Sequence, residues 1–180
     1  MEWQNVVAGQ RADPEQINKI GNQVAKYKGL RLARRVVLTE AVSSITFDTD
    51  DDGNALNSTL GGELVFYSGT NASISIFTNL QMQLNNISEG EYWTSHSTTA
   101  TSLLAGRCAA VLSEGRILIN NLNQNLIFNS SCVYRYSTAG NLLTSGGGMT
   151  TPQTSVTAIK LFLASGTFPA GTVAEWWERG

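Results

Sequence analysis

Charged side chains are scarce in this 180-residue chain. Asp, Glu, Lys and Arg make up 14% of it, whereas soluble globular domains carry about 25%. Because 42% of the residues are hydrophobic and available for a core, the surface has to be covered largely by uncharged Ser, Thr, Asn, Gln and Gly. Such a surface is unusual for a cytoplasmic enzyme and common in extracellular β-proteins.

Histidine and cysteine are rarer still, which leaves little material for a catalytic or metal centre. His96 is the single histidine; it would need a nucleophile beside it, but no G-x-S-x-G motif is present and neither cysteine is near it in sequence. The sequence has no C-x-x-C pair of the kind that binds structural zinc. The glycines at 146–148 are not followed by the lysine of a phosphate-binding loop. Nothing marks which of the fourteen acidic residues would form a glycosidase pair. We therefore expect a protein that is not an enzyme and holds no cofactor.

The two cysteines, Cys108 and Cys132, lie in separate strand-like runs. A disulfide is geometrically possible if those strands are neighbours, but two free, buried thiols are the favoured interpretation. A chain of this length buries about 70% of its unfolded surface. It therefore needs no crosslink to fold.

Long apolar runs are also absent. No stretch reaches the roughly 18 residues of a membrane-spanning helix, and the first four residues lack the basic and apolar regions of a signal peptide. These observations predict a protein made in a cytoplasm and not inserted in a membrane. Residues 1–35 carry a net positive charge and the rest a net negative one, but the basic residues do not interleave with aromatics, so nucleic acid is not an expected partner.

A short helix is predicted near the N-terminus. Asp13 is a helix cap, with Pro14 at the first helical position and Gln16 completing a capping box, and the helix runs to about residue 28. Its apolar residues are spaced 3, 4 and 3, as the a and d positions of a coiled coil are: Ile17, Ile20, Val24 and Tyr27. Isoleucine at both kinds of position favours three strands, so we interpret the helix as an oligomerisation device that gives a homotrimer. Packing against the chain's own sheet is the alternative, since an isolated helix of this length is marginal.

Residues 1–12 before the helix are predicted to form an extended arm. Trp3, Val6 and Val7 are its apolar contact points and are expected to dock on a partner. Arm and helix together make the first predicted unit, residues 1–30, and residues 31–180 make the second.

From residue 35 onward the hydrophobic residues no longer follow the spacing of a helix but recur at every second position. The clearest half-buried strand is predicted over 74–85, where Ile76, Leu80 and Met82 share one face. Similar runs occur at 36–38, 42–47, 63–67, 107–112, 116–120, 125–136, 156–163 and 172–177, separated by turn residues. About eight or nine short strands without intervening helices predict a mostly β fold, an antiparallel β-sandwich or jelly roll preceded by the short N-terminal α-helix. The glycine-rich segment 142–153 is expected to be a mobile loop.

A candidate calcium loop occupies the segment 48–53. Asp48, Asp50 and Asp52 followed by a glycine match the opening of a D-x-D-x-D-G loop, whose carboxylates supply hard oxygen ligands. The twelfth position is Thr59, where an EF-hand needs glutamate, and no helices flank the loop. An acidic hairpin turn is the favoured interpretation, and a weak calcium site is the alternative.

Acidic residues stand beside aromatic residues at 89–93. Exposed aromatic rings next to carboxylates suit sugar rings, so Tyr92 and Trp93 are candidate glycan contacts. Packing of Trp93 in the core is the competing interpretation.

Three stretches of the chain resemble tailed-bacteriophage minor virion structural proteins. Residues 3–10 and 12–17 (WQNVVAGQ and ADPEQI) are similar to an N-terminal attachment segment, 42–47 with the turn at 52–54 to the first hairpin of a β-sandwich module, and 156–162 with 168–177 to its closing strands. The resemblance implies a head fibre, capsid decoration or tail appendage, located in the virion. It also implies an oligomer, with capsid, neck or tail proteins as partners and a sandwich displayed outward that contacts the host surface.

A second function is compatible with the same residues. A carbohydrate-binding, lectin-like adhesin or receptor-binding module would use Tyr92, Trp93 and neighbouring amide side chains to bind a host-surface glycan. Loss of glycan binding on removal of Trp93 would distinguish it from a purely structural protein.

Overall fold

The computed structural model describes residues 29–88, 91–94, 97–122, 124–136 and 140–179, and in these ranges the regular elements are β-strands. The strands are β1 (Arg31–Val37), β2 (Ser44–Phe47), β3 (Gly61–Ser68), β4 (Phe77–Leu84), β5 (Tyr92–Thr94), β6 (Ser97–Ala100), β7 (Leu103–Ala109), β8 (Leu112–Leu122), β9 (Asn125–Arg135), β10 (Gly140–Met149), β11 (Ile159–Leu163) and β12 (Val173–Glu178). The predicted arm and helix, with Trp3, Val6, Val7, Ile17, Ile20, Val24 and Tyr27, lie outside the described residues. Within the described ranges no helix is long and apolar enough to cross a membrane.

The strands form two antiparallel sheets, which confirms the prediction of a mostly β, sandwich-like fold. The larger sheet has the order β1-β12-β3-β8-β9-β10-β5-β6, and the smaller sheet has the order β2-β11-β4-β7. Successive side chains of a strand point to opposite faces of its sheet. In β9, for example, Phe128 and Cys132 are buried between the sheets while Asn129 and Ser131 are exposed on the outer side.

The core lies between the two inner faces. Phe66, Phe128 and Trp176 from the larger sheet meet Phe47 and Met82 from the smaller one, and none is more than 1% exposed. Burying an apolar side chain of this size contributes about 1.5–3 kcal/mol. The alternating pattern of the sequence is therefore what holds the two sheets together.

The chain passes repeatedly from one sheet to the other. Strands β1, β3, β8 and β12 belong to the larger sheet and β2, β4, β7 and β11 to the smaller one. Two further strand pairs, β5 with β6 and β9 with β10, are inserted into this path and widen the larger sheet from four strands to eight. Much of the outer surface of the larger sheet is therefore built by the insertions.

The predicted strand 74–85 is confirmed in its central part. Leu80, Met82 and Leu84 are fully buried on one face of β4. Ile76 was expected on that face, but it precedes β4 and is 52% exposed, so this part of the prediction is wrong. The strand begins later because its pairing with β7 starts at Phe77, opposite Ala109.

The prediction of a mobile loop at 142–153 is wrong. Residues up to Met149 belong to β10, which is paired with β9 on one side and with β5 on the other. Neighbouring side chains occupy the space that the glycines leave open. A Cβ at Gly147 would meet the ring of Phe128 at 2.7 Å, and one at Gly148 would meet the indole of Trp93 at 2.9 Å.

The two cysteines are both buried and free, as the favoured interpretation predicted. Burial raises the pKa of the Cys108 thiol to about 12, and the nearby Cys132 thiol acts in the same direction. Burial also raises the pKa of Cys132, whose Sγ donates a hydrogen bond to the carbonyl oxygen of Arg107 at 3.1 Å. Both groups are therefore neutral core side chains at physiological pH.

Candidate functional site

Large apolar side chains are concentrated on the outer face of the larger sheet. Of the eleven exposed large hydrophobic residues in the described part of the chain, seven lie on this face: Leu32, Val37, Tyr67, Trp93, Leu122, Val133 and Leu142. The solvent face of an antiparallel sheet is normally polar. An apolar outer face is therefore the first place to look for a binding surface.

Two shallow depressions on this face meet at Asn129, and together they are called the outer groove here. The first, about 300 Å³ in volume, is lined by Trp93, Ile127, Phe128, Asn129, Gly146 and Gly147. The second, about 280 Å³, is lined by Glu63, Arg116, Leu118, Asn129, Ser130 and Ser131. The groove thus combines apolar walls with a small number of polar groups, which is the usual make-up of a ligand site.

Trp93 forms one wall of the first depression and is 40% exposed. It sits in the short strand β5 and is paired with Gly148 of β10. A Cβ on Gly148 would come within 3.0 Å of the indole, so the missing side chain lets the ring lie against the sheet. One surface of the indole is supported by backbone while part of the ring remains open to solvent.

Asn129 joins the two depressions. It is exposed on β9 and paired with Gly146 of β10, whose own Cβ would come within 3.2 Å of the Asn129 Oδ1. Gly146 and Gly148 therefore leave room for a carboxamide and an indole side by side. The carboxamide carries both hydrogen-bond donors and an acceptor.

The second depression contains an ion pair. The Arg116 Nη1 lies 3.3 Å from the Glu63 Oε1, and the two side chains are 74% and 18% exposed. A pair as exposed as this contributes little to stability, about 0–1 kcal/mol. Its N–H groups and carboxylate oxygens are instead available to hydroxyl groups of a ligand in the depression.

Tyr92 is not available as a glycan contact, and that part of the prediction is wrong. Its side chain is fully buried, and its hydroxyl donates to the carbonyl oxygens of Leu84 and Ile87 and accepts from the Leu84 N–H. Burial raises the pKa of Tyr92 to about 12. Neighbours in a strand face opposite sides, so the burial of Tyr92 is what directs Trp93 outward.

Glu91 ties the beginning of β5 to the end of β10. Its carboxylate accepts hydrogen bonds from the hydroxyls of Thr150 and Thr151, and its carbonyl oxygen accepts from the Thr150 N–H. The hydroxyls of Thr151 and Thr150 lower the pKa of Glu91. These bonds fix the three-residue strand that carries Trp93.

The aspartates of the segment 48–53 form an acidic turn. The Asp50 carboxylate accepts hydrogen bonds from the backbone N–H groups of Asp52 and Asn54 and from the Asn54 side chain. The Asn54 bonds lower the pKa of Asp50. In the part of the chain that the structure describes, Asp48, Asp50 and Asp52 do not form a group of three that could hold a metal ion. The hydrogen bonds of Asp50 are those of an acidic turn, and a weak calcium site in this segment stays a prediction.

Most residues of the outer groove were not identified from the sequence. Asn129, Glu63 and Arg116 lie in predicted strands, but the sequence gives no indication that β9 pairs with β10 and β8. The glycines at 146–148 were a visible signal, since glycine in a strand often marks a close approach of another group. His96 and Glu89, which the sequence analysis also considered, lie outside the described residues.

Comparisons with known proteins give no family for the chain. No family model matches the sequence, and no curated protein matches it. Among solved structures, the CBM40 of Ruminococcus gnavus IT-sialidase bound to alpha2,3 sialyllactose is 10% identical, with a TM-score of 0.36 over 81% of this chain and 92% of that chain. The same CBM40 bound to alpha2,6 sialyllactose is 8% identical, with a TM-score of 0.29 over 82% and 90%. TM-scores this low establish neither a shared fold nor a shared ligand.

Proposed function

We propose that this domain binds carbohydrate in the outer groove. The observation that carries the proposal is the exposed Trp93 indole, supported from behind by Gly148, beside the Asn129 carboxamide. A sugar ring offers C–H groups on its faces and hydroxyls around its edge. The C–H face can stack on the indole while the hydroxyls bond to the carboxamide, so one ring fits both groups at once.

The groove is suited to more than one sugar unit. Asn129 belongs to both depressions, and the second adds the donors of Arg116 and the acceptor oxygens of Glu63. Because both depressions are shallow, a ligand would stay partly in water, and we expect affinities in about the micromolar to millimolar range. The proposed role is binding without conversion. Chemical conversion of a bound oligosaccharide by the purified protein would contradict it.

Trp93→Ala is expected to weaken glycan binding at least about tenfold, because it removes the aromatic surface on which the sugar stacks. Glycan-array screening followed by calorimetry on the best ligand would measure the change. Tyr136→Ala is a matched control, since Tyr136 is an aromatic residue that is 43% exposed and lies outside the groove. Equal losses in the two variants, or no binding by the wild type to any glycan, would contradict the proposal.

We infer further that the chain is a virion structural protein, displayed as an oligomeric head fibre, capsid decoration or tail appendage. One support is the alternation of its strands between sheets, which is the path of a jelly roll, an architecture that occurs in both viral capsid and lectin domains. The resemblance of residues 3–17 to a phage attachment segment is the other. The two roles are compatible, because a displayed sandwich can carry a glycan site on its outer face.

Removing residues 1–29 is expected to reduce a trimer to single bodies at concentrations below about 10 µM, since the heptad-spaced residues would be lost. Light scattering on the full chain and on a chain beginning at Leu30 would give both masses. A truncated body that remains trimeric would show that the sandwich, not the N-terminal segment, holds the copies together. A full chain that is monomeric would contradict the predicted trimer.

A further inference from the structure

A second exposed surface lies about 20 Å from Trp93, at the other end of the outer face. The register of the strand pairs aligns apolar side chains in a row across six neighbouring strands. This row is called the apolar band here. It consists of Val37, Val173, Tyr67, Val133 and Leu142, with Glu114 between Tyr67 and Val133. Four of the five apolar members are 44–66% exposed.

We propose that the apolar band of one copy packs against the apolar band of a second copy of this chain. An exposed apolar row that crosses six strands and is interrupted only by Glu114 marks a contact surface. It belongs to neither depression of the outer groove, so a ligand and a second copy can be bound together. The partner is inferred from the charges beside the band.

Two opposite charges beside the band have no partner in the described chain. Glu114 interrupts the row, and Arg135 lies on the same face two residues from Val133, the residue paired with Glu114. Neither side chain makes a hydrogen bond or an ion pair with another described residue, whereas Arg35 and Arg116 on the same face are paired with Glu175 and Glu63.

A second copy can satisfy both charges at once. A two-fold axis along the band places each strand over the same strand of the other copy, which gathers Glu114 and Arg135 of both copies into one cluster of two negative and two positive charges. An isologous interface repeats every contact in this way. The surface is therefore complementary in charge to itself.

The size of the surface indicates a weak contact. Six strands at a spacing of about 4.8 Å span about 24 Å, and the band with the rows on either side covers about 20 Å along the strands. The two copies together would bury about 1,000 Å², which is the lower limit for a specific interface. Association should therefore depend on concentration and strengthen when another element already holds copies together.

The test uses two variants of the full chain, each with one charge reversed, which are measured separately and then as a mixture. Wild-type protein is expected to gain mass in sedimentation velocity between about 10 and 500 µM, and Glu114→Arg or Arg135→Glu alone should raise the dissociation constant at least about tenfold. An equimolar mixture of the two variants should regain the association, because each Arg–Glu contact is restored between unlike copies. Asp52→Arg, an exposed reversal in the acidic turn, is the matched control and should leave the mass unchanged.

The mixture separates a contact between copies from an effect within one chain. If Glu114 and Arg135 interacted only within a chain, mixing two singly altered proteins would restore nothing, and the proposal would be wrong. Wild-type protein whose mass does not rise with concentration would also overturn it, as would single reversals that associate like the wild type.

Discussion

Trp176→Ala is expected to lower the free energy of unfolding by about 3–5 kcal/mol. Trp176 is the largest fully buried side chain of the described residues, and β12, on which it lies, is held between β1 and β3. Removing the indole would leave a cavity that paired backbone on both sides cannot close. Since domains are stable by about 5–15 kcal/mol, this one change would remove a large part of the total.

The neighbouring tryptophan provides the control. Trp177 is on the outer face of the same strand, only partly buried, and its Nε1 donates to the Glu175 Oε2 at 3.2 Å. Trp177→Ala should therefore cost no more than about 1.5 kcal/mol. Urea unfolding followed by far-UV circular dichroism would measure both changes without depending on tryptophan fluorescence.

A third variant tests the chemistry of the buried indole. The Nε1 of Trp176 has no hydrogen-bond partner in the described chain, so Trp176→Phe removes an unsatisfied donor together with part of the volume. Trp176→Phe should lower the free energy of unfolding clearly less than Trp176→Ala does. The lost volume destabilises the fold, whereas the loss of the unsatisfied donor stabilises it. Equal costs for Trp176→Ala and Trp177→Ala would show that the outer side of β12 is buried too, which would contradict the described exposure.

The strands could be predicted from the sequence because a period of two is a local property. Leu80, Met82 and Leu84 read as one buried face without knowledge of any partner strand, and they form one. Ile76 continued the same pattern but lies before the first pair of β4 with β7. Where a strand begins is decided by its neighbour, and the local pattern does not contain that information.

The outer groove could be predicted only in part, because it is built from long-range pairing. Trp93 was proposed from the aromatic and acidic residues around it, but Asn129 comes beside it only through β10, which lies between β5 and β9. The same pattern also marks Tyr92, whose side chain is fully buried. Two successive residues of a strand face opposite sides, so at most one of Tyr92 and Trp93 could face a ligand.

The aspartate segment shows how local hydrogen bonds compete with metal binding. The spacing of Asp48, Asp50 and Asp52 fits a calcium loop, but the composition also fits a turn in which a carboxylate accepts from the backbone that follows it. Asp50 does this with Asp52 and Asn54. The choice between the two depended on the fold around the segment, which the twelve-residue pattern does not specify.

Alanine at each of the three consecutive glycines is expected to give three different outcomes. At Gly147 the new Cβ would lie 2.4 Å from the backbone oxygen of Trp93 and 2.7 Å from the Phe128 ring. Neither group can move without disturbing the pairing of β5 with β10 or the core. Gly147→Ala should therefore lower the free energy of unfolding by about 1–3 kcal/mol or more, and it should displace Trp93 as well.

Gly146→Ala is the matched control from the same strand. Its Cβ would meet the Asn129 Oδ1 at 3.2 Å and the Phe128 carbonyl oxygen at 3.5 Å. The Asn129 carboxamide is the end of a flexible side chain, so it can move by the few tenths of an ångström that the new Cβ requires. Because alanine also restricts the unfolded chain, stability should stay within about 1 kcal/mol of the wild type. Glycan affinity should nevertheless fall, since the carboxamide that joins the two depressions is moved.

Gly148→Ala should lower both the stability and the glycan affinity, because its Cβ would lie 2.6 Å from the Leu126 carbonyl oxygen and 2.9 Å from the Trp93 Nε1. Thermal unfolding and glycan titration on the three variants would separate stability from binding. Loss of stability should be greatest at Gly147, and loss of binding without loss of stability should occur at Gly146. If all three variants were as stable as the wild type, the described packing of β10 against Trp93 and Phe128 would be wrong. If Gly146→Ala bound glycan normally, Asn129 would have no part in recognition, and the ligand would rest on the indole of Trp93 alone.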